Sequence, residues 1–177
     1  TTVQSLKDVI EAKLRKMLLQ NPMRTDLQKH YEKIVDEYNN EKDRVTIEAT
    51  FEALLKLTGE LTIEEQRAIK EGLTEESLAL FDLLLKPDLS KNEIARIKKV
   101  AEGLYETLQA ELERIQDFAA KQATRDEIKV KIKDFLWNEK TGLPENFAPE
   151  EVEAKTDAVF THLLVAAKQS KLSSSVT

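Results

Sequence analysis

Apolar residues recur at intervals of three and four along almost the whole chain, and that spacing suits amphipathic helices and little else. In the opening segment Val3, Leu6, Ile10, Leu14, Met17 and Leu18 fall on one stripe. Asn21-Pro22 stops it, because the proline ring clashes with a continuing turn and restricts the residue before it. A second stripe, Leu27, Tyr31, Ile34, Val35 and Tyr38, ends near Asn39-Asn40. A third, Ile47, Phe51, Leu54 and Leu55, is expected to close on Gly59 as a left-handed C-cap. Neither a convincing period-two run nor a solenoid-type repeat interrupts the pattern.

Helix starts are marked by hydroxyl residues. Thr62…Glu65, Ser90…Glu93 and Thr124…Glu127 read as capping boxes, in which the hydroxyl accepts from the N3 amide while the Glu reaches back. Thr74 reads as a simple N-cap. These signals predict helices over 63–71, 75–86, 91–120 and 125–139, and Pro149 is well placed at the first turn of a last one. The 91–120 helix carries Ile94, Ile97, Ala101, Leu104, Leu108, Leu112, Ile115 and Phe118. The last helix should bury Val152, Val159, Phe160, Leu163 and Leu164. The expectation is an all-α fold: an irregular helical bundle of seven to nine helices with the 91–120 helix as its long central spine. It should occupy 1–168 and leave 169–177 as a disordered tail.

A length of 177 residues fits one ordinary domain or two small helical lobes. With 41% hydrophobic and 34% charged residues there is material for both a core and solvated helix faces. Four Gly and four Pro are too few for a loop-rich β protein. The absence of Cys excludes disulfides and thiolate metal sites and suits a cytoplasmic setting. No apolar run approaches the roughly 18 residues of a membrane span. The first residue is Thr, so an excised or processed piece of a longer polypeptide is expected. Net charge is −6, and it is concentrated in positions 47–90, which hold 4 Lys/Arg against 10 Asp/Glu. A phosphate-neutralising protein normally shows the opposite balance.

A search for chemistry finds little. Gly59, Gly72, Gly103 and Gly142 are scattered, so no phosphate-cradling loop can be drawn. Glu11-Ala12-Lys13 and Glu153-Ala154-Lys155 match the Glu-x-Lys of Mg²⁺-dependent nucleases, but both fall on predicted helices with no acidic strand residue upstream. Asp26 and His30 stand one turn apart and could share a metal; the plainer reading sets Asp26 against its helix N-terminus. His162 has no Glu-x-x-His partner, and the serines lack a nucleophile elbow. No catalytic, cofactor-binding or metal-ligating residue is assigned, and no cofactor is expected in this segment. Arg125, Lys129 and Lys133 share one helical stripe and are candidate DNA phosphate contacts, although a solvated face is the plainer reading; Arg96 and Lys99 are a weaker pair. Trp137 either covers the end of the bundle or anchors a partner. Tyr31 and Tyr38 should line the groove between helices.

Several segments, taken in order, resemble one family. Asn21-Pro22-Met23-Arg24 follows a helix with a basic half, Lys13-Leu14-Arg15-Lys16. Tyr31-Glu32-Lys33-Ile34, Glu37-Tyr38-Asn39 and Phe51-Glu52-Ala53-Leu54 come next. Leu73 to Leu84, Ile97 to Ala101, Gln122 to Arg125, Leu143-Pro144 and Val159 to His162 complete the series. Phe118 stands where the family is expected to carry Trp. The series resembles the C-terminal region of the R (motor/endonuclease) subunit of type I restriction–modification enzymes. The resemblance implies a parent subunit that is an ATP- and Mg²⁺-dependent site-specific deoxyribonuclease with its catalytic segments elsewhere. It implies a helical region fastening that motor to the methyltransferase and specificity subunits, with DNA reached through the parent complex and no membrane contact. Arg24 and Trp137 are the candidate partner contacts. The alternative is a DNA-contacting accessory of the translocase acting through the basic stripe.

Overall fold

The computed structural model describes residues 2–40, 43–115 and 117–176, with side chains as far as Gln169. The described residues form eight α-helices and two short 3₁₀ turns joined by loops, and no strand occurs among them. The helices are α1 (Thr2–Gln20), α2 (Thr25–Asn40), α3 (Arg44–Glu65), α4 (Arg67–Glu71), α5 (Glu75–Leu84), α6 (Lys91–Arg114), α7 (Gln122–Trp137) and α8 (Pro149–Val176). The all-α expectation holds. The chain divides into two compact units, Thr1–Glu75 and Glu76–Thr177.

In the first unit α1 and α2 both lie against α3. Ile10, Leu14, Met17, Leu54, Leu57 and Leu61 are almost wholly buried, and Tyr31 and Ile34 join them from α2. Asn21 ends α1 as expected: its side chain accepts from the Met23 amide at 3.1 Å, and Pro22 opens a 3₁₀ turn. The expected end at Gly59 and start at Thr62 are both corrected. α3 runs through them without a break. Thr58 and Thr62 donate their hydroxyls to Leu54 O (2.9 Å) and Thr58 O (3.0 Å), one turn back, so neither caps anything. A Thr-x-x-Glu on an exposed helix face has the same spelling as a capping box. The left-handed cap is Gly72 instead, at φ 70°, with the Leu73 amide donating to Ala68 O at 2.9 Å.

In the second unit α5 buries Leu78, Leu80, Phe81, Leu83 and Leu84 around its whole circumference, as an interior helix does. Ser90 opens α6 with both bonds of its capping box in place, as the sequence implied. The expected 91–120 spine is shorter: α6 stops at Arg114, Asp117 turns left-handed (φ 54°), and Phe118–Ala120 form a 3₁₀ turn. Ile115 and Phe118 stay buried after the chain has left the helix, so the apolar spacing continues across the break. Thr124 is no cap either; its hydroxyl donates to Phe118 O at 2.6 Å and Lys121 O at 2.9 Å. The longest helix is α8, 28 residues against 24 for α6. α7 packs on both of them. At Gly103 an added Cβ would stand 3.0 Å from Phe135 Cζ, so glycine lets α6 and α7 approach. Pro149 begins α8 as expected, and the backbone is helical to Val176, across the stretch expected to be a tail; the side chains from 170 onward lie outside the described residues.

Candidate functional site

The basic stripe on α7 meets an acidic stripe on α8. Lys129 Nζ lies 2.9 Å from Asp157 Oδ1, and Lys133 Nζ 2.8 Å from Glu153 Oε2. Lys131, on the neighbouring face, pairs with Glu111 of α6 at 3.1 Å. The Asp157 carboxylate holds the Lys129 ammonium above its usual pKa. Arg125 is half-buried, and its Nε is enclosed without a hydrogen-bond partner. Thus the i, i+4 lysines lie on one face as the spacing implied, with their charge already compensated inside the unit. Arg96, the other basic candidate, reaches across to Gly142 O (3.1 Å) and Glu139 O (3.0 Å), which fastens the loop after α7. Lys99 is exposed.

Arg24 is 4% exposed. Its Nε bonds Glu64 at 3.0 Å, its Nη2 bonds Glu75 at 2.8 Å, and its Nη1 reaches Met17 O and Gln20 at 3.3 Å. As placed, the guanidinium joins α1, α3 and the first residue of α5, and it cannot meet a partner without leaving these bonds. The sequence offered Arg24 as a partner contact; in the structure its fork is directed inward, onto Glu64 and Glu75.

Trp137 is 58% exposed at the C-terminus of α7. The turn behind it is closely built. Asn138 Oδ1 accepts from the amides of Lys140 (2.8 Å) and Thr141 (3.3 Å), Thr141 Oγ1 donates to Phe135 O (2.9 Å), and the Leu143 amide donates to Leu136 O (2.9 Å). Gly142 is required there, since a Cβ would stand 2.2 Å from Leu136 O. Beside the indole an open hollow of about 520 Å³ is lined by Leu136, Leu143, Pro144 and Phe147, with Glu139 and Glu145 at its margin. The indole therefore projects from a fixed base and does not cover the end of the bundle. The loop that holds it, with Lys86 4.3 Å from the centre of the Phe147 ring and 3.0 Å from Glu151, was not legible in advance. Its one sequence signal was the Asn138…Gly142 turn spacing.

The nuclease-like triplets separate. Glu11 accepts from the Tyr31 hydroxyl, whose pKa burial and then this carboxylate push up, while Lys13 pairs with Glu65 at 2.8 Å. Glu153 takes Lys133, while Lys155, its pKa lowered by burial, donates to Leu85 O at 2.6 Å. His30 Nδ1 faces Glu60 at 3.3 Å, on α3. His162 is half-buried, and burial holds its pKa below the usual value. Among the described residues no three His, Asp or Glu side chains converge as metal ligands would. No described helix is long and apolar enough to cross a membrane.

Among the described residues the chain is an all-helical module in which Lys129, Lys131 and Lys133 of α7 pair with acids of neighbouring helices while Trp137 stands exposed. The family model described as type I restriction enzyme HindI endonuclease subunit-like, C-terminal, matches residues 1–169, and the chain belongs to that family. Neither the curated proteins nor the solved structures gave a match.

Proposed function

We propose that this module is non-catalytic and fastens an ATP-dependent restriction translocase and endonuclease to its methyltransferase–specificity core. In this reading ATP, Mg²⁺ and the nuclease carboxylates belong to other segments of the parent subunit. The observation that carries the reading is Trp137, a large aromatic exposed on a closely hydrogen-bonded turn next to a hollow of mixed apolar and charged lining. Tryptophan in such a setting is the residue type most enriched among binding hot spots. The family, defined by the C-terminal part of an endonuclease subunit, supports the same reading.

The test is capture of the purified methyltransferase–specificity core by this chain. Trp137→Ala should weaken it by about tenfold or more, the usual size of a hot-spot truncation. Equal capture by the variant would remove Trp137 from the interface, and no capture by the parent sequence would remove the reading. DNA contact through Arg125, Lys129 and Lys133 is less favoured, because Asp157 and Glu153 already neutralise the two lysines. It predicts salt-dependent duplex binding that weakens when the three are replaced.

A further inference from the structure

A second concave surface lies wholly within the second unit, away from Trp137. Leu80 of α5, Tyr105, Leu108 and Leu112 of α6, and Leu163 and Ala166 of α8 line a groove of about 330 Å³. That is at the small end of the range of ligand sites, about 300–1,000 Å³. Leu80 and Leu108 form its floor and are buried; Tyr105, Leu112 and Leu163 are half-exposed on its walls, which is unfavourable for apolar side chains with nothing upon them. The charge at the rim has one sign. Glu76 and Glu113 are the charged residues lining the groove, and both are exposed. Glu76 stands near enough to Tyr105 to add to the burial that raises its phenol pKa. His162, the remaining titratable wall residue, has its pKa lowered by burial and carries no charge near neutrality.

We propose that this groove receives an amphipathic helix from a partner protein, seating its apolar stripe on Leu80, Leu108 and Leu112 and placing Lys or Arg beside Glu76 and Glu113. Helices dock in such clefts through anchors at i, i+3 or i+4, and unlike charges at the rim select orientation and partner. The proposal rests on reading the chain as an assembly module, and it names the chemistry of one thing that module holds.

The test uses the full chain and two synthetic amphipathic helices with the same leucine stripe, one flanked by lysines and one by glutamates. The lysine-flanked helix should perturb the NMR signals of Tyr105, Leu112 and Leu163. Its affinity should exceed that of the glutamate-flanked helix by at least about tenfold, and E76K with E113K should reverse the order. These two positions are exposed, so the variant keeps its fold, which circular dichroism checks. Equal binding of both helices, perturbations elsewhere, or concentration-dependent shifts at the same residues from self-association would each overturn the proposal. The restriction core is absent from this experiment, so the outcomes separate. Core capture without groove binding removes the groove alone. Groove binding without core capture removes only the reading on which it rests.

Discussion

At Gly59 and Gly142 the addition of one methyl group should have opposite effects. Gly59 lies inside α3 with nothing within 4 Å of a built Cβ. Gly59→Ala should stabilise the protein by about 0.5–1 kcal/mol, through helix propensity and a less flexible unfolded chain. Had Gly59 been the left-handed cap that the sequence suggested, the same change would destabilise it. Gly142→Ala forces the methyl into Leu136 O and Asn138 O, at 2.2 and 2.5 Å, and should lose more than about 2 kcal/mol as the turn under Trp137 shifts. Urea midpoints for the two variants check both signs. Arg24→Ala takes the guanidinium from Glu75 and leaves Glu64 with Arg67 at 2.8 Å; both carboxylates retain some solvent, so the loss should be about 2 kcal/mol and not the larger value of a fully buried pair. Arg24→Lys should recover little of it, since an ammonium cannot span the fork. For His162, burial lowers the folded pKa below the unfolded value of about 6.5. Protonation then favours the unfolded chain. Stability should fall as pH drops below about 6.5 toward the folded pKa, and His162→Gln should flatten that slope in thermal melts from pH 7 to 5.

Three helix starts depend on carboxylates. Asp43 accepts from the Thr46 amide at α3, Glu93 from the Ser90 amide at α6, and Glu151 from the Ala148 amide at α8. In each, the backbone hydrogen bond holds the carboxyl pKa below its usual value. A depressed folded pKa means that the contribution is complete above the unfolded pKa of about 4 and is lost as pH falls through the folded value. Helical circular dichroism should therefore weaken below about pH 4, and less steeply in a variant with Asp43→Asn, Glu93→Gln and Glu151→Gln, which begins from a lower plateau. The elements themselves were largely legible. Asn21-Pro22, the Ser90 box and Pro149 each act through backbone chemistry that no packing choice reverses. Gly59 and Thr62 were misread because a helix held on one face by Leu54, Leu57 and Leu61 tolerates glycine and threonine on its exposed side. The break at Asp117 was hidden for a different reason. Ile115 and Phe118 remain in the core, so periodicity carries no trace of the change in backbone.

At the scale of the whole molecule, the division near Glu75 has no proline- or serine-rich linker to announce it; Gly72-Leu73-Thr74 is the whole signal. Charge pairing was equally hidden. A stripe of Arg125, Lys129 and Lys133 looks the same in sequence whether it faces DNA, water or the acids of α8, and only the packing of α7 on α8 decides. Two surface features stand apart from these internal pairings, Trp137 beside its hollow and the groove walled by Tyr105 and Leu112. Such surfaces suit a domain that joins subunits. The most direct test removes the region corresponding to residues 1–169 from a full endonuclease subunit and measures its association with the methyltransferase–specificity core by sedimentation. The truncated subunit should retain DNA-stimulated ATP hydrolysis yet sediment apart from the core. Co-sedimentation with the affinity of the intact subunit would contradict the account.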